Sequence, residues 1–351
     1  MPRRFTARIE DVADFRTLWR CYRQVRRGKR GKAEVQAFER NLEFELTTLR
    51  RELLAGTYRP GPMRSFVVFE PKRRPIYCLP FRDRVVQYAL YETVFKPAFS
   101  KVFLDDNMAC QLGKGMHRGL DRLSLFFREC YHRHGLQAWI LKADIRKYFQ
   151  SIDPVVLKMV LRHHIKGSKV SALLDLFIDH GAQANGGVPI GNLTSQHFGL
   201  IYLNEMDHLI RDQWGLRWYV RYMDDFVLLH PSKGELKRVL QDLERYLEHK
   251  RHLQLNSKTQ IFPFRQGVDF LGFHTYCLPG GRVIRKLRRK SKDNMRRRVK
   301  RLKALYQAGL VDEGKIRQHI AGWLGHAKHG NTYALRKRIL SQAVFKKGES
   351  E

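Results

Sequence analysis

The sequence has few cysteines, and they form neither a disulfide framework nor a zinc ribbon. No Cys-x-x-Cys pair occurs among the five, which are Cys21, Cys78, Cys110, Cys130 and Cys277. An odd, scattered set is typical of a protein in a reducing compartment, so we expect a cytoplasmic location. Cys130 lies near His132 and His134 in the sequence, but no second ligand pair with zinc-site spacing accompanies them.

Long apolar runs are also missing from the sequence. No stretch approaches the roughly 20 consecutive apolar residues that a membrane-spanning helix requires. Residues 1–15 include several arginines but lack the apolar segment of a secretory signal peptide. We therefore expect a protein that is not secreted and that has no membrane partner.

Acidic residues are scarce relative to basic ones. The 351 residues include 67 Lys and Arg but 34 Asp and Glu, which gives a formal net charge of +33. This excess is far greater than solubility requires. It indicates a polyanionic partner, and nucleic acid fits that description better than a membrane surface does.

Helical and strand patterns alternate along the chain and predict an α+β protein. Apolar residues spaced by three and four predict a helix over 32–55, which Gly56 ends. Prolines and two apolar runs over 57–81 predict a hairpin with a basic tip. The same reasoning predicts further helices over 82–99, 119–135 and 235–250, and strands over 138–145 and on both sides of residues 223–225.

Two short motifs place aspartates beside predicted strands. Asp144 ends the strand over 138–145, and Asp224 and Asp225 lie in a turn between two apolar strands. If these strands pair, three carboxylates converge and need cations to neutralise them. Two Mg²⁺ ions about 3.5–4 Å apart would do so and would support in-line phosphoryl transfer. A surface turn is the alternative for Asp-Asp, although such turns more often contain Asn-Gly or Asp-Gly.

These motifs, in this order, resemble those of group II intron-like reverse transcriptases. Tyr222–Asp225 resembles the active-site turn, and residues 141–153 resemble the motif that carries the first catalytic aspartate. Residues 71–90 resemble a fingers motif, residues 255–260 the lysine-bearing motif, and residues 268–273 the primer-grip motif. The resemblance implies RNA-directed DNA polymerase activity, two Mg²⁺ ions (with Mn²⁺ as a substitute), dNTPs, a template RNA and an RNA–cDNA duplex.

A loop at 186–196 carries the signal for a subfamily. Most relatives resemble Gly-x-Pro-Gln-Gly-x-x-x-Ser-Pro there, whereas this chain has Ile190 and Gln196 in place of the Gln and the final Pro. This variant resembles diversity-generating retroelement reverse transcriptases, which are bacterial or phage-encoded. They copy a template-repeat RNA with errors opposite adenine and act with a small basic accessory protein that is often oligomeric. Gln111 also departs from the Arg of many relatives.

The resemblance also implies a right-hand polymerase fold and its division into domains. Residues 1–138 would form an N-terminal helix and the fingers, and residues 139–278 the palm. A fingers segment over 155–190 would interrupt the palm. Residues 279–351 would form a basic helical thumb, with a seam near Pro279–Gly281.

By the same resemblance, Asp144 and Asp224 are metal ligands, and the Ile145 carbonyl completes one metal site. Asp225 is either a third catalytic ligand or a support beside the cluster. The resemblance assigns dNTP binding and selectivity to Lys72, Arg74, Phe149, Ile190, Gly191, Ser195, Gln196, Met223 and Lys258. It assigns the primer grip to Leu271, Gly272 and Phe273. The basic residues expected to bind nucleic acid are Lys114, Arg285, Arg288, Arg289, Arg296 and Arg297.

Several of these roles have specific meanings and specific alternatives. Phe149 would exclude a ribose 2′-hydroxyl, unless it is an ordinary core aromatic. Lys258 would protonate the departing pyrophosphate, or would contact the nucleic-acid backbone. Met223 would lie beneath the primer terminus. Ile190, which cannot hydrogen-bond as Gln does, is the residue we associate with low fidelity.

Three other functions remain open from the sequence. One is a general-fidelity bacterial reverse transcriptase of the retron, phage-defence or group II type, against which the residues at 190 and 196 argue. Another is a non-catalytic RNA-binding protein on the polymerase fold, against which the three intact aspartates argue. The third is a metal-dependent nuclease, which would need neither a steric gate nor a primer grip.

Overall fold

The computed structural model describes residues 4–69 and 73–345. Within this part of the chain the elements alternate as the sequence predicts for an α+β protein. The helices are α1 (Ile9–Val12), α2 (Phe15–Val25), α3 (Ala33–Arg40), α4 (Leu42–Ala55), α5 (Phe81–Leu90), α6 (Lys96–Phe99), α7 (Met116–His134), α8 (Tyr148–Ser151), α9 (Pro154–His164), α10 (Ser168–Asn185), α11 (Leu193–Tyr202), α12 (Asn204–His208), α13 (Lys233–Arg251), α14 (Arg289–Gln307), α15 (Glu313–Ala327) and α16 (Tyr333–Gln342).

The strands form small sheets, of which the largest has four strands. The strands are β1 (Phe5–Thr6), β2 (Arg64–Val68), β3 (Arg74–Cys78), β4 (Trp139–Asp144), β5 (Ile165–Lys166), β6 (Trp218–Tyr222), β7 (Asp225–His230), β8 (Gln260–Pro263), β9 (Val268–Phe270), β10 (Phe273–Cys277) and β11 (Val283–Leu287). The four-stranded sheet has the order β6-β7-β4-β8. Strands β2 and β3 form the predicted hairpin, β1 pairs with β5, and β9, β10 and β11 form a third sheet.

Local signals explain several element boundaries. Asp153 accepts hydrogen bonds from the backbone amides of Val155 and Val156, and so caps α9 as an Asp-Pro start predicts. Gly56 ends α4 in the left-handed conformation, with φ of 73°. The helix predicted over 32–55 is instead two helices, because Asn41 between them has a non-helical φ of −122°. Within the described residues, no helix has both the length and the apolar character to cross a membrane.

The chain separates into two compact units. Unit one comprises Met1–Leu112, Asp144–Gly215 and Leu240–Ser257. Its core includes three aromatic rings from α2, α3 and α5, with the Phe38 and Phe81 centroids 5.1 Å apart and Tyr22 stacked 5.9 Å from Phe38. Helix α2 contributes one apolar face to this core, and its other face is exposed.

Unit two comprises Gly113–Ala143, Leu216–Val239 and Lys258–Glu351. Strands β6 and β7 are mostly buried, and only Tyr222, Asp225 and His230 at their ends are half-buried. Strand β7 lies inside the four-stranded sheet and β6 at its edge. Helix α7 packs against the sheet, and its Phe127 stacks on Phe264 at 4.6 Å between ring centroids. The basic helix α14 packs through Met295, Val299 and other apolar residues of its inner face.

The basic C-terminal segment begins with a strand and becomes helical at α14. Strand β11 pairs antiparallel with β10, so that Tyr276 lies opposite Ile284. Residues 279–281 therefore lie in the turn of a hairpin. Ile284 and Leu287 are the buried residues of this strand. They do not alternate with exposed residues in a period of two, and Arg and Lys residues surround them, so the sequence pattern did not reveal a strand.

A buried carboxylate organises the entry to α5. Asp83 is 1% exposed, accepts a 2.6 Å hydrogen bond from the Tyr58 hydroxyl and a 2.9 Å hydrogen bond from the Gly61 amide. Burial raises the pKa of Asp83, while these two donors lower it in part. Both carboxylate oxygens are thus used to join residues 58–61 to α5.

We expect Asp83→Asn to destabilise the protein by about 1–3 kcal/mol. The amide group of Asn must turn one N–H toward a donor, either Tyr58 or Gly61, so that a buried donor loses its acceptor. Chemical denaturation measures the change, with the exposed Glu43→Gln as a control that shifts stability by less than about 0.5 kcal/mol. Equal stability of the two variants would contradict the role of Asp83.

Candidate active site

Asp224 lies in a two-residue β-turn, whereas Asp225, which the sequence placed in the same turn, is the first residue of β7. Tyr222 is paired with Asp225 across the hairpin of β6 and β7, which leaves Met223 and Asp224 as the turn. Met223 has a left-handed φ of 56°, a conformation that a residue with a side chain adopts at a cost of about 1–2 kcal/mol. The surrounding structure must therefore hold this turn in place.

A buried arginine holds the turn. Arg221 is completely buried in β6, and its Nη1 donates a 2.7 Å hydrogen bond to the carbonyl oxygen of Met223. A buried guanidinium is costly unless its donors are used, and this charge-assisted bond is stronger than a neutral one. Arg221 therefore fixes the backbone immediately before Asp224.

Asp225 is paired with a lysine from the neighbouring strand. Lys142 of β4 forms an ion pair with Asp225, and its Nζ lies 5.0 Å from the centroid of the Phe270 ring in β9. The lysine thus balances the charge of Asp225 while its other contact reaches the β9–β10 hairpin.

Asp144 is the last residue of β4 and is half-buried. Asn256 holds it, because its amide N–H donates to the Asp144 carbonyl at 2.7 Å and its side chain donates to Asp144 Oδ2 at 3.3 Å. Ile145 follows and forms a β-bridge with Leu255. The segment that carries Asp144 is therefore held by the chain that leads to Lys258.

The donor set suits Mg²⁺, which takes carboxylate and carbonyl oxygens and is usually held by one or two carboxylates plus substrate phosphates. Within residues 4–69 and 73–345, no group of three His, Cys, Asp or Glu side chains is arranged to hold a metal. Cys130, which lies near His132 and His134 in the sequence, is completely buried, and burial raises the pKa of its thiol to about 12.

The predicted steric-gate residue is tightly placed within unit one. Phe149 is half-buried, and its carbonyl oxygen accepts a 2.8 Å hydrogen bond from the Val188 amide. A Cβ at Gly199 would lie 3.2 Å from the Phe149 ring and 3.3 Å from the Tyr148 ring. Glycine at 199 therefore leaves room for both rings, and the ring of Phe149 has limited freedom to move.

The 186–196 loop is attached to the β2–β3 hairpin. The carbonyl oxygen of Ile190 accepts a 2.8 Å hydrogen bond from the Tyr77 amide of β3. Asn192 donates through Nδ2 to the Tyr77 carbonyl and accepts from the Leu79 amide, each at 3.1 Å. A Cβ at Gly191 would lie 2.5 Å from the Tyr77 carbonyl oxygen, so the close approach requires glycine. Ile190 is thus held by its backbone while its side chain remains half-buried.

The other residues assigned to dNTP binding differ in their accessibility. Ser195 is 2% exposed within α11, so its side chain belongs to the core, whereas Gln196 is exposed in the same helix. Arg74 begins β3 and Lys258 follows the Asn256 segment, and both are exposed. Lys72 lies outside the described residues.

The predicted primer-grip residues form the turn of the β9–β10 hairpin. Leu271 and Gly272 both have left-handed φ values, 47° and 86°. Phe273 is completely buried, and its ring centroid lies 4.8 Å from that of His326 in α15. A Cβ at Gly272 would lie 3.1 Å from His326 Nε2. The turn between β9 and β10 is therefore packed against His326 of α15.

Some basic residues expected to bind nucleic acid are engaged by carboxylates. Arg285 forms a 2.7 Å ion pair with Asp121, and Arg288 forms a 2.9 Å ion pair with Asp269. Along α14, Arg296 lies 3.4 Å from Asp293. Arg289, Arg297 and the other outward residues of α14 remain exposed, whereas Lys114 is half-buried. The exposed side of α14 carries the positive charge that the composition indicates.

Sequence reasoning missed four residues that organise these segments: Arg221, Lys142, Asn256 and Tyr77. A charged residue inside an otherwise apolar strand was a signal for the first two, since such a residue needs a buried partner. No sequence signal marked Tyr77, whose contribution is made by its backbone.

Two proteins are similar to this chain in sequence. Protein YkfC of Escherichia coli (strain K12) is 28% identical over 275 residues, which cover 66% of this chain and 71% of that protein. The group II intron-encoded protein LtrA of Lactococcus lactis subsp. cremoris is 27% identical over 181 residues, which cover 48% of this chain and 28% of LtrA.

Among solved structures, telomerase from Candida albicans is similar with a TM-score of 0.48 and 15% identity, over 72% of this chain and 51% of that one. Telomerase from Candida tropicalis has a TM-score of 0.47 and 13% identity, over 82% and 60% of the two chains. The model of the family described as reverse transcriptase (RNA-dependent DNA polymerase) matches residues 69–275, more than half of the sequence. The match includes strand β3, Asp144 at the end of β4, the turn that carries Asp224, and the turn between β9 and β10. The chain belongs to the reverse transcriptase family, an enzyme family of RNA-directed DNA polymerases with a mixed α+β polymerase fold.

Proposed function

We propose that this reverse transcriptase copies a template-repeat RNA into cDNA with errors concentrated opposite adenine, as in diversity-generating retroelements. The observation that supports this proposal is Ile190, which stands where most relatives have a hydrogen-bonding Gln. The carbonyl oxygen of Ile190 accepts a 2.8 Å hydrogen bond from the Tyr77 amide, which attaches the loop backbone to β3. An apolar side chain there contacts the nascent base pair without a directional hydrogen bond.

The proposed catalytic roles divide among the three aspartates. Asp144 and Asp224, with the Ile145 carbonyl, would hold Mg²⁺ (or Mn²⁺ in its place), and Asp225 would support them from its ion pair with Lys142. Bound Mg²⁺ supplies activation of the primer hydroxyl and neutralisation of charge on the triphosphate. Two hydrogen bonds position these carboxylates. Arg221 donates to the Met223 carbonyl, next to Asp224, and Asn256 donates to Asp144.

Other residues would contact the dNTP and the nucleic acid. Phe149 would lie under the sugar and exclude a 2′-hydroxyl, and its packing against Gly199 would keep the ring there. Arg74 and Lys72 would bind the triphosphate, and Lys258 would protonate pyrophosphate. The template RNA and the RNA–cDNA duplex would lie along the exposed basic side of α14, as part of a thumb over 279–351, with fingers and palm as predicted. A small basic accessory protein completes the proposed system.

The second candidate is a reverse transcriptase of ordinary fidelity. It is favoured by the 27% identity to LtrA, which is named a group II intron-encoded protein. Both candidates require the same aspartates, so the error spectrum of the cDNA, rather than activity alone, decides between them.

Primer extension on an adenine-containing RNA template, with Mg²⁺ and dNTPs, tests the proposal. We expect cDNA whose errors are concentrated opposite adenine, and no cDNA from Asp224→Ala. Ile190→Gln restores a hydrogen-bonding side chain, and we expect it to lower the adenine error rate several-fold. Ile190→Leu is the matched control, and we expect it to keep the high rate.

Sequencing of the cDNA from the three active forms gives each error rate directly. Faithful copying by the unmodified chain would support the second candidate. An unchanged adenine error rate in Ile190→Gln would exclude Ile190 as the source of infidelity.

Arg221→Lys tests the support of the active-site turn. Lys keeps the charge but loses the planar fork that reaches the Met223 carbonyl, so we expect kcat to fall about 10- to 100-fold while KM for dNTP changes little. Arg217→Lys, an exposed position that precedes the same strand, is the control and should keep kcat within about two-fold. Steady-state kinetics well below the melting temperature measures kcat and KM for each variant. Equal kcat values in the two variants would show that Arg221 does not support the turn that carries Asp224.

A further inference from the structure

A second concentration of positive charge lies near the start of the chain, far in sequence from α14. Between Asp14 and Glu34 there is no acidic residue. The eight basic residues of this interval are Arg16, Arg20, Arg23, Arg26, Arg27, Lys29, Arg30 and Lys32. Because like charges repel, a cluster of this density on a folded surface implies an anionic partner.

Helix α2 displays part of this cluster on one face. Thr17, Leu18, Cys21, Tyr22 and Val25 are buried, so the helix is anchored to unit one by its opposite side. Asp14 caps the helix by accepting a 2.8 Å hydrogen bond from the Thr17 amide. The exposed positions recur every three or four residues, which places their side chains in a row about 4.5–6 Å apart along the helix axis.

Two exposed aromatic rings lie in the same row as the arginines. Phe15 is 38% exposed and Trp19 is 39% exposed, one helical turn apart. The guanidinium carbon of Arg23 lies 4.8 Å from the centroid of the Trp19 ring, so Trp19 is held in a defined position by a cation–π contact. We call Phe15, Arg16, Trp19, Arg20 and Arg23 the α2 face.

We propose that the α2 face binds single-stranded RNA. Arginines spaced along a groove or ridge bind successive phosphates, and an exposed indole offers a surface on which an unpaired base can stack. A paired base in an A-form helix has both of its faces covered, so an exposed Trp contributes little to duplex binding. The combination of cations with aromatic rings therefore favours an unpaired strand.

The charge of the surface argues for RNA over a protein partner. Arg26 is engaged by Glu39 at 2.9 Å, whereas the arginines of the α2 face are exposed. A reverse transcriptase acts on an RNA template, and a binding surface for its unpaired flank would hold the template during synthesis. This inference goes beyond the proposed function, since it concerns binding and holds for a faithful or an error-prone enzyme.

The test uses the full chain and three 20-nucleotide probes: an unstructured RNA, a blunt RNA hairpin and a single-stranded DNA of the same sequence as the first. Fluorescence anisotropy gives the dissociation constant of each probe at a series of salt concentrations. The triple variant Arg16→Gln, Arg20→Gln, Arg23→Gln removes the cations of the α2 face. Its matched control removes three exposed arginines of α3 and α4, namely Arg40→Gln, Arg50→Gln and Arg51→Gln.

We expect the α2 triple variant to bind the unstructured RNA at least ten-fold more weakly at physiological salt. The slope of log K against log salt should fall by about 2, since each phosphate contact to a single strand contributes about 0.7. The control triple variant has the same net charge, and we expect it to lose no more than about two-fold. An equal loss in both triple variants would overturn the proposal, because it would show an effect of net charge alone.

Trp19→Ala separates stacking from charge. We expect it to weaken binding of the unstructured RNA about five-fold or more with an unchanged salt slope, and to leave hairpin binding unaltered. Phe44→Ala, which removes a 69% exposed ring outside the α2 face, is its control and should have no effect. Equal losses on hairpin and unstructured RNA would contradict a single-strand site, and unchanged RNA binding in all α2 variants would assign the surface to another partner.

Extension of a short primer on a short template should be unchanged in these variants, because the α2 face lies outside the proposed catalytic residues. Binding can be measured equally in the Asp224→Ala background. Failure of RNA binding at the α2 face is therefore distinguishable from failure of the proposed activity.

Discussion

The hydrogen bond from buried Arg221 to the Met223 carbonyl is the interaction on which the active-site turn depends. A two-residue turn with a non-glycine residue at φ 56° is unfavourable by itself. The turn is needed because it presents Asp224 at the end of two buried strands. The guanidinium supplies from inside the sheet the stabilisation that Asn-Gly would supply locally.

The same principle of remote support applies to the other functional segments. Asn256 holds Asp144, Lys142 balances Asp225, and backbone hydrogen bonds from β3 hold the loop around Ile190. Asp144, Asp225 and Ile190 are half-buried, and each is held by a hydrogen bond or an ion pair to a residue from another segment of the chain. Such partners fix the position of a side chain without themselves facing solvent at the site.

The basic residues of this protein fall into two groups, those held in ion pairs and those exposed to solvent. Arg285 and Arg288 are held in ion pairs with Asp121 and Asp269, and so they join structural elements. The outward residues of α14 and of the α2 face keep their charge exposed. Binding of a duplex depends mainly on contacts between basic side chains and phosphates. Binding of an unpaired strand is strengthened further when its bases stack on exposed aromatic rings such as Trp19.

The sequence by itself determined the α+β class, the Asp153 cap, the β2–β3 hairpin and a turn between two strands at residues 223–225, because these depend on local periodicity and turn chemistry. Only the structure showed that Asp225 pairs with Tyr222 and so belongs to the strand. It predicted the family from motifs in a fixed order, and the family match agrees. The break at Asn41, the strand over 283–287 and the partners of Arg221 and Lys142 were decided by tertiary structure. These features depend on contacts between residues distant in sequence, for which periodicity carries no information.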